Sequence, residues 1–226
     1  MGNKAATILF QSKAWLAAAI VFGETARHAP DDVAVLAGFG SAVANSAGVF
    51  VVAPFVQWST RILRRCLELA PSGPYANLAR ERLAELRKKP EWKDLPPIRP
   101  EDFDELLTFL DINTTIVVEA IDSVAPDDHM FMVMALGNLG APRFVPALAA
   151  AVSGRWGAEA ARSALKRVGK FQGRREIREA MVALRESPLG AECDPYLSWA
   201  EQRAPPAEDS APPPAPPAKK PWWKLW

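Results

Sequence analysis

Apolar side chains recur along most of the chain at the three- and four-residue spacing of one helix face. The clearest runs are Phe103, Leu106, Leu107, Leu110, then Val145, Leu148, Ala149, Val152, then Ile177, Met181, Leu184. No comparable run alternates between polar and apolar residues with hairpin turns at its ends, which is the pattern of a sheet. The sequence therefore predicts an all-α protein.

The breaks between these helical runs repeat in composition. The tetrapeptide APDD occurs at 29–32 and again at 125–128, and a similar junction, APSGPYA, spans 70–76. Proline in the first turn of a helix needs no hydrogen-bond donor, and aspartate there stabilises the positive end of the helix dipole. Short helices with one apolar face cannot bury that face alone. We therefore expect them to stack in series as a helical-repeat solenoid.

The first half of the chain, from about residue 10 to 88, resembles degenerate tetratricopeptide (TPR) repeats. Ala18, Phe22 and Pro30 match the small residue, the aromatic residue and the closing proline of that family. Leu36, Phe39 and Gly40 match the opening helix of a following repeat. The interval from Pro30 to Pro71 is longer than the family period of about 34 residues. An insertion around AGVFVVAPF accounts for the difference. The resemblance implies a TPR-like helical block over 1–88.

The second half, from about residue 103 to 186, resembles HEAT-type repeats of the kind shared with phycobilisome-lyase-like proteins. In DDHMFMVMALGNLGAPRFVPALAAAV, one helix ends at LGNLG, a tight APR turn follows, and a second helix opens at VPAL. GAEAARSALKRVG is similar to the first helix of the next unit. Ala141 stands where the family usually has Asp. The resemblance implies a HEAT-like block over 101–200, joined to the first block by a proline-rich junction at 89–100.

Composition and charge argue against several kinds of partner. The 27 basic and 26 acidic side chains give a formal charge of +1, so no overall field attracts nucleic acid. Cys66 and Cys193 lie far apart without metal-ligand spacing, which indicates neither a zinc site nor a disulfide framework. Lys13 interrupts the apolar N-terminus and no signal-peptide cleavage site follows. We therefore expect a bacterial cytoplasmic protein that binds no nucleic acid, cofactor, metal or small-molecule substrate.

One segment allows a membrane alternative. Residues 33–60 carry no charged side chain, and a run of that length is a candidate for a single membrane span. Its middle, GSAVANSAG, is poor in large apolar groups, and Pro54 and Gln57 lie in its second half. Two buried helices joined by a turn near Asn45 to Gly48 account for the segment at least as well. The glycines of GFGSAVANSAG then indicate close helix packing.

The sequence contains no convincing catalytic constellation. Asp127, Asp128 and His129 form the nearest approach to an acid–base cluster, but they follow Pro126 at a predicted helix start, where acidic residues are expected as caps. His28 lies near a predicted helix end, where a cation suits the dipole. A lone cysteine in an amphipathic helix, such as Cys66, is more often buried than reactive. We therefore expect that the protein is not an enzyme.

The C-terminal tail, residues 201–226, differs in composition from the rest of the chain. Eight of the eighteen residues from Ala204 to Pro221 are proline, which favours a disordered, extended arm. In a polyproline conformation the arm would reach roughly 50 Å. It ends in the Trp/Lys motif, defined as residues 219–226, whose candidate docking side chains are Lys219, Lys220, Trp222, Trp223, Lys224 and Trp226.

These features predict a non-catalytic adaptor that binds proteins through its helical-repeat surface and its Trp/Lys motif. Exposed indoles anchor protein interfaces, whereas indoles beside lysines also suit an anionic membrane surface. The alternative is a protein associated with the inner membrane, held by the motif or by a span within 33–60. A third interpretation, that the tail folds back onto a groove of its own body, also remains open.

Overall fold

The computed structural model describes residues 1–47, 53–111 and 115–168, and every regular element in these ranges is helical. Five helices come first: α1 (Gly2–Gln11), α2 (Trp15–His28), α3 (Val33–Ser46), α4 (Ala53–Leu69) and α5 (Pro74–Leu86). The next five are α6 (Phe103–Leu110), α7 (Ile116–Asp122), α8 (Pro126–Leu139), α9 (Val145–Val152) and α10 (Gly157–Val168). Single 3-10 turns at Pro100–Asp102 and Pro142–Phe144 precede α6 and α9. The all-α prediction is confirmed for this part of the chain.

The apolar spacing correctly located individual helices. The run from Phe103 to Leu110 forms α6, and its four periodic side chains are all buried. The run from Val145 to Val152 forms α9. The third predicted run, 177–184, lies outside the described residues.

The two APDD junctions both begin helices, but they do so differently. Asp32 is the N-cap of α3, where its carboxylate accepts hydrogen bonds from the backbone N–H groups of Ala34 at 2.9 Å and Val35 at 3.2 Å. At the second junction Pro126 occupies the first position of α8, so Asp127 and Asp128 lie inside the first turn. No side chain caps that helix start. The expectation that these two aspartates cap α8 is therefore wrong, although they still favour its dipole.

The candidate membrane span is divided between two helices. α3 ends at Ser46 and α4 begins at Ala53, as the two-helix interpretation of 33–60 predicted. None of the helices in the described ranges is both long enough and apolar enough to cross a membrane.

The predicted helix pair of the second half is present. α8 ends at Leu139, and Gly140 follows in the left-handed conformation at φ 67°. Pro142–Phe144 forms the tight turn, α9 opens at Val145 and α10 follows as predicted. The helix-end signal in LGNLG and the turn signal in APR therefore predicted the end of α8 and the start of α9 correctly.

The second group of helices packs beside the first. From α1 to α5 each helix contacts the next along the chain, but α6 and α7 pack on α2, and α8 packs on α1 and α2. Gly23 permits the close approach of α2 to α6, because a Cβ atom there would lie 2.6 Å from Cδ2 of Leu107. Contacts between successive helices therefore hold from α1 to α5, and the helical-repeat solenoid stays a prediction.

The proline-rich junction lies along α4. Ile98 is buried, and its N–H donates to the backbone carbonyl of Arg61 at 3.0 Å. Arg64 pairs with Asp94 and also donates to the carbonyl of Leu95. These contacts fix the junction against one face of α4 and carry the chain from α5 back to α6.

A buried ion pair joins the two groups of helices. Glu24 of α2 has a side chain only 2% exposed, and Nε of Arg143 lies 2.6 Å from its Oε1. That N–H is not aligned for a hydrogen bond to Oε1. Arg143 also donates to the carbonyl of Leu107 at 2.9 Å, and Arg27 approaches the other Glu24 oxygen at 3.2 Å. The carboxylate is thus buried only because two guanidinium groups neutralise it.

A second cluster ties α7 to the turn before α10. Asp122 accepts hydrogen bonds from Arg155, with Nη2 at 2.7 Å, and from the indole Nε1 of Trp156 at 2.8 Å. The Arg155 hydrogen bonds lower the pKa of Asp122, burial opposes this, and the Trp156 hydrogen bond lowers it further. The charged form of Asp122 is therefore the form that stabilises the fold.

We expect Arg143→Met to destabilise the protein by about 3 kcal/mol, because it leaves Glu24 buried with only Arg27 as a cation. Urea denaturation at pH 7 measures this. Glu24→Leu combined with Arg143→Met should recover most of the loss. Arg162→Met is the matched control, since Arg162 and Glu159 are each 65% exposed and their pair is worth below about 1 kcal/mol. Equal urea midpoints for Arg143→Met and wild type would contradict a stabilising role for the buried Glu24–Arg143 ion pair.

Asp122→Asn should destabilise the protein at pH 7 but have little effect well below pH 4. The folded pKa of Asp122 lies below its unfolded value, so its contribution is present above the unfolded pKa of about 3.9 and disappears as pH falls through the folded pKa. Because 37% of the Asp122 side chain is exposed, screening limits the effect to about 1 kcal/mol. Thermal unfolding of both proteins between pH 2.5 and 7 tests this. If the difference in melting temperature between the two proteins does not depend on pH, a stabilising role for the Asp122 charge is wrong.

Candidate functional site

A groove lies between α1, α3 and α5. Its floor consists of Ala34, Ala37, Gly38 and Ser41 of α3, which recur every three or four residues along one helix face. Asn3, Thr7 and Phe10 of α1 form one wall, Tyr75, Leu78 and Arg82 of α5 form the other, and Phe22 of α2 reaches the groove from beneath. The groove contains an open cavity with a volume of about 290 Å³.

The groove exists because α3 carries small side chains on one face and large ones on the others. Leu36, Phe39 and Val43 are completely buried on the faces toward the neighbouring helices. On the remaining face, alanine, glycine and serine are too short to fill the space between α1 and α5. The distribution of side-chain size around α3 therefore both builds the core and leaves the groove.

Most polar groups in the groove are already satisfied. The Ser41 hydroxyl donates to the carbonyl of Ala37 at 2.8 Å, and the Thr7 hydroxyl donates to the carbonyl of Asn3 at 2.8 Å. Arg82 pairs with Glu85 at 2.8 Å at the edge. The centre of the groove is consequently apolar, with a guanidinium group at its rim. Such a surface suits an apolar or aromatic side chain of a binding partner.

A second cavity continues the groove along α5. Its volume is about 380 Å³, and Arg82 lines both cavities. Trp15, Ala44 and Leu86 supply its apolar surface, while Asn45, Glu85 and Lys89 supply its polar surface. Trp15 also lines a third cavity of about 350 Å³, between the α1–α2 turn and α7. The groove is therefore long enough to contact several consecutive residues of an extended segment.

Cys66 lies behind the groove wall and does not act as a nucleophile there. It is completely buried in α4, and its thiol lies 3.6 Å from the carbonyl oxygen of Val33. Burial raises the pKa of the Cys66 thiol, so the reactive thiolate is disfavoured. The prediction that this cysteine is buried is confirmed.

Both histidines make structural contacts. His28 is the last residue of α2, and its Nε2 lies 3.1 Å from the carbonyl oxygen of Leu139. His129 approaches the carbonyl oxygen of Val124 at 3.2 Å, and its ring lies 6.1 Å from that of Trp156. Within the described ranges, no group of three or more His, Cys, Asp and Glu side chains is placed to hold a metal ion.

The predicted docking side chains of the Trp/Lys motif lie outside the described residues, as does the whole tail. The groove, in contrast, was not predicted from the sequence. A signal for it is present in AGFGSA at 37–42, where small residues recur on one helix face. We interpreted these residues as close helix packing. That is correct at Gly40, whose Cβ would lie 2.7 Å from the Leu63 side chain, and at Gly38, whose Cβ would lie 2.5 Å from the Phe22 ring; Gly38 and Phe22 together also line the groove.

Comparison with models of protein families, with curated proteins and with solved structures finds no match to this chain. The TPR and HEAT resemblances therefore stay predictions. The functional assignment depends on the chemistry of the groove and of the Trp/Lys motif.

Proposed function

We propose that this protein is a non-catalytic adaptor whose groove binds a segment of a protein partner. The observation that carries the proposal is the apolar groove between α1, α3 and α5, with Tyr75 43% exposed on its wall. An exposed aromatic side chain beside an apolar cavity is typical of a protein-interaction surface.

An extended peptide fits this groove better than a compact small molecule does. The first two cavities follow α5 and the residues just after it, from Tyr75 to Lys89, and share Arg82. Both cavities are lined by apolar surface and by polar side chains, and the polar side chains can fix the direction of a bound segment. A peptide would place its apolar side chains in the cavities and its polar groups near Asn3, Asn45 and Arg82.

The adaptor interpretation also includes the two helical blocks and the tail. The TPR-like and HEAT-like resemblances support a repeat scaffold that presents long surfaces to other proteins. The Trp/Lys motif would supply a second attachment point on the same chain. Two widely spaced cysteines suit a reducing compartment such as the cytoplasm, which is the location that we propose.

Selection of peptides from a phage-displayed library tests the groove. We expect the full-length protein to enrich peptides with aromatic or large aliphatic residues. Thr7→Arg combined with Tyr75→Ala should weaken binding of the selected peptides at least tenfold, because it places a charge on one wall and removes the ring from the other.

The chain offers matched controls for both substitutions. Thr108 is exposed on α6 and donates to the Asp104 carbonyl at 2.8 Å, as Thr7 does to Asn3, so Thr108→Arg introduces the same charge elsewhere. Met130 is 41% exposed on α8 and matches Tyr75 in exposure. Thr108→Arg with Met130→Ala should leave binding unchanged. Equal loss of binding in both pairs of variants would disprove a peptide-binding groove, as would no enrichment by the full-length protein and by its variant with Trp222, Trp223 and Trp226 replaced by Ala.

The second candidate function is attachment to a membrane surface through the Trp/Lys motif. Three indoles and three lysines within residues 219–226 favour it, because indoles partition to the interface and each lysine gains roughly 1 kcal/mol at an anionic leaflet.

Co-sedimentation with liposomes tests this second candidate. It predicts that the full chain sediments with anionic vesicles at low salt and is released at high salt. Replacing Trp222, Trp223 and Trp226 with Ala should abolish this binding, whereas replacing Trp58, which stacks with Arg61 on α4, should not. Wild-type protein that stays in the supernatant with anionic and neutral vesicles alike would eliminate the membrane role.

A further inference from the structure

The chain combines an apolar groove in its folded part with an aromatic segment near its C-terminal end. We propose that the groove between α1, α3 and α5 binds the chain's own Trp/Lys motif, residues 219–226, so that the tail closes the partner-binding site in cis. The inference rests on the proposed function, since it assumes that the groove is a binding surface.

The chemistry of the groove matches an indole side chain. The cavity of about 290 Å³ is large enough for one indole, and the rings of Phe10, Phe22 and Tyr75 line it. Arg82 at the rim can stack on the face of an aromatic ring. An indole has one N–H donor and no acceptor, and the side-chain amide of Asn3 at the edge supplies an acceptor oxygen.

The groove is one face of the first five helices that packing leaves open in the described part of the chain. The face of α2 is covered by α6, α7 and α8, and α4 is covered by the proline-rich junction through Ile98. α1, α3 and α5 line the cavity without filling it. A segment rich in tryptophan would therefore find matching apolar surface here.

The length of the chain allows the motif to reach the groove of the same molecule. Fifty residues lie between Val168 and Lys219. Their maximum extended length is roughly 170 Å, whereas a folded body of this size has a radius of gyration of about 15 Å. A tethered motif has an effective concentration on the order of 1 mM, so weak intrinsic affinity is enough to occupy the groove.

Closure in cis would regulate the adaptor. A partner segment must then displace the motif before it binds, and the displaced motif becomes free for its own second partner. Occupation of the groove and exposure of the Trp/Lys motif would thus be linked by competition for one site.

Site-specific photocrosslinking in the full-length chain tests the proposal. We place p-benzoylphenylalanine at position 75, where Tyr75 is exposed on the groove wall, and at position 130 as the control, where Met130 is exposed on α8. After irradiation at low protein concentration, mass spectrometry should locate crosslinks from position 75 to residues 219–226 at about tenfold the yield from position 130. These crosslinks should lie within one chain and should not depend on protein concentration.

Changes in the motif provide the second half of the test. Replacing Trp222, Trp223 and Trp226 with Ala should remove the crosslinks from position 75, and Thr7→Arg should reduce them severalfold while Thr108→Arg does not. Equal yields from positions 75 and 130, or yields that survive loss of the tryptophans, would overturn the proposal. Crosslinks that join two chains and rise with concentration would overturn closure in cis and indicate exchange between copies.

The outcome also separates this inference from the proposed function. If position 75 fails to capture the motif but selected peptides still lose binding in Thr7→Arg with Tyr75→Ala, closure by the tail is wrong and the peptide-binding groove stands. If the motif is not captured and no peptide is selected, both fail. Capture of the motif, with no peptide selected even by the variant that lacks Trp222, Trp223 and Trp226, would support the closure and contradict the adaptor role.

Discussion

The central position of α2 determines how the rest of the described structure is arranged. Ten of its residues are buried, among them Glu24, because α1 and α3 pack on it from one half of the chain and α6, α7 and α8 from the other. A carboxylate in such a place is costly unless cations neutralise it. Arg143 and Arg27 neutralise it, and Arg143 also binds the α6 carbonyl of Leu107. The ion pair therefore fixes the relative position of the two groups of helices.

The same arrangement accounts for the groove. Because the second group of helices covers α2, and the junction through Ile98 covers α4, a face that stays open in the first group is formed by α1, α3 and α5. Small side chains on the outer face of α3 keep this face from closing. The packing of the second group of helices on α2 thus buries one face of the first five helices, while the face formed by α1, α3 and α5 stays exposed.

Local features of the sequence predicted the helices well, whereas the contacts between distant helices were not predictable from it. Periodicity located α6, the LGNLG and APR signals located the α8–α9 boundary, and the polar middle of 33–60 indicated two helices. Periodicity shows which face is buried but not which helix buries it, so the packing of α6 on α2 was missed. The groove was missed for the same reason, since its lining residues come from four different helices. Pro126 displaced Asp127 and Asp128 from the capping position that composition suggested.

The central claim is that the groove is where this protein binds its ligands, its own motif included. The chain has two tyrosines, Tyr75 in the groove and Tyr196 outside the described residues, so fluorine NMR of the 3-fluorotyrosine-labelled protein gives two signals. Tyr75→Phe assigns them. The account predicts that the Tyr75 resonance shifts when Trp222, Trp223 and Trp226 are replaced with Ala, and shifts again when a selected peptide is added. A Tyr75 resonance that responds to neither change would contradict it.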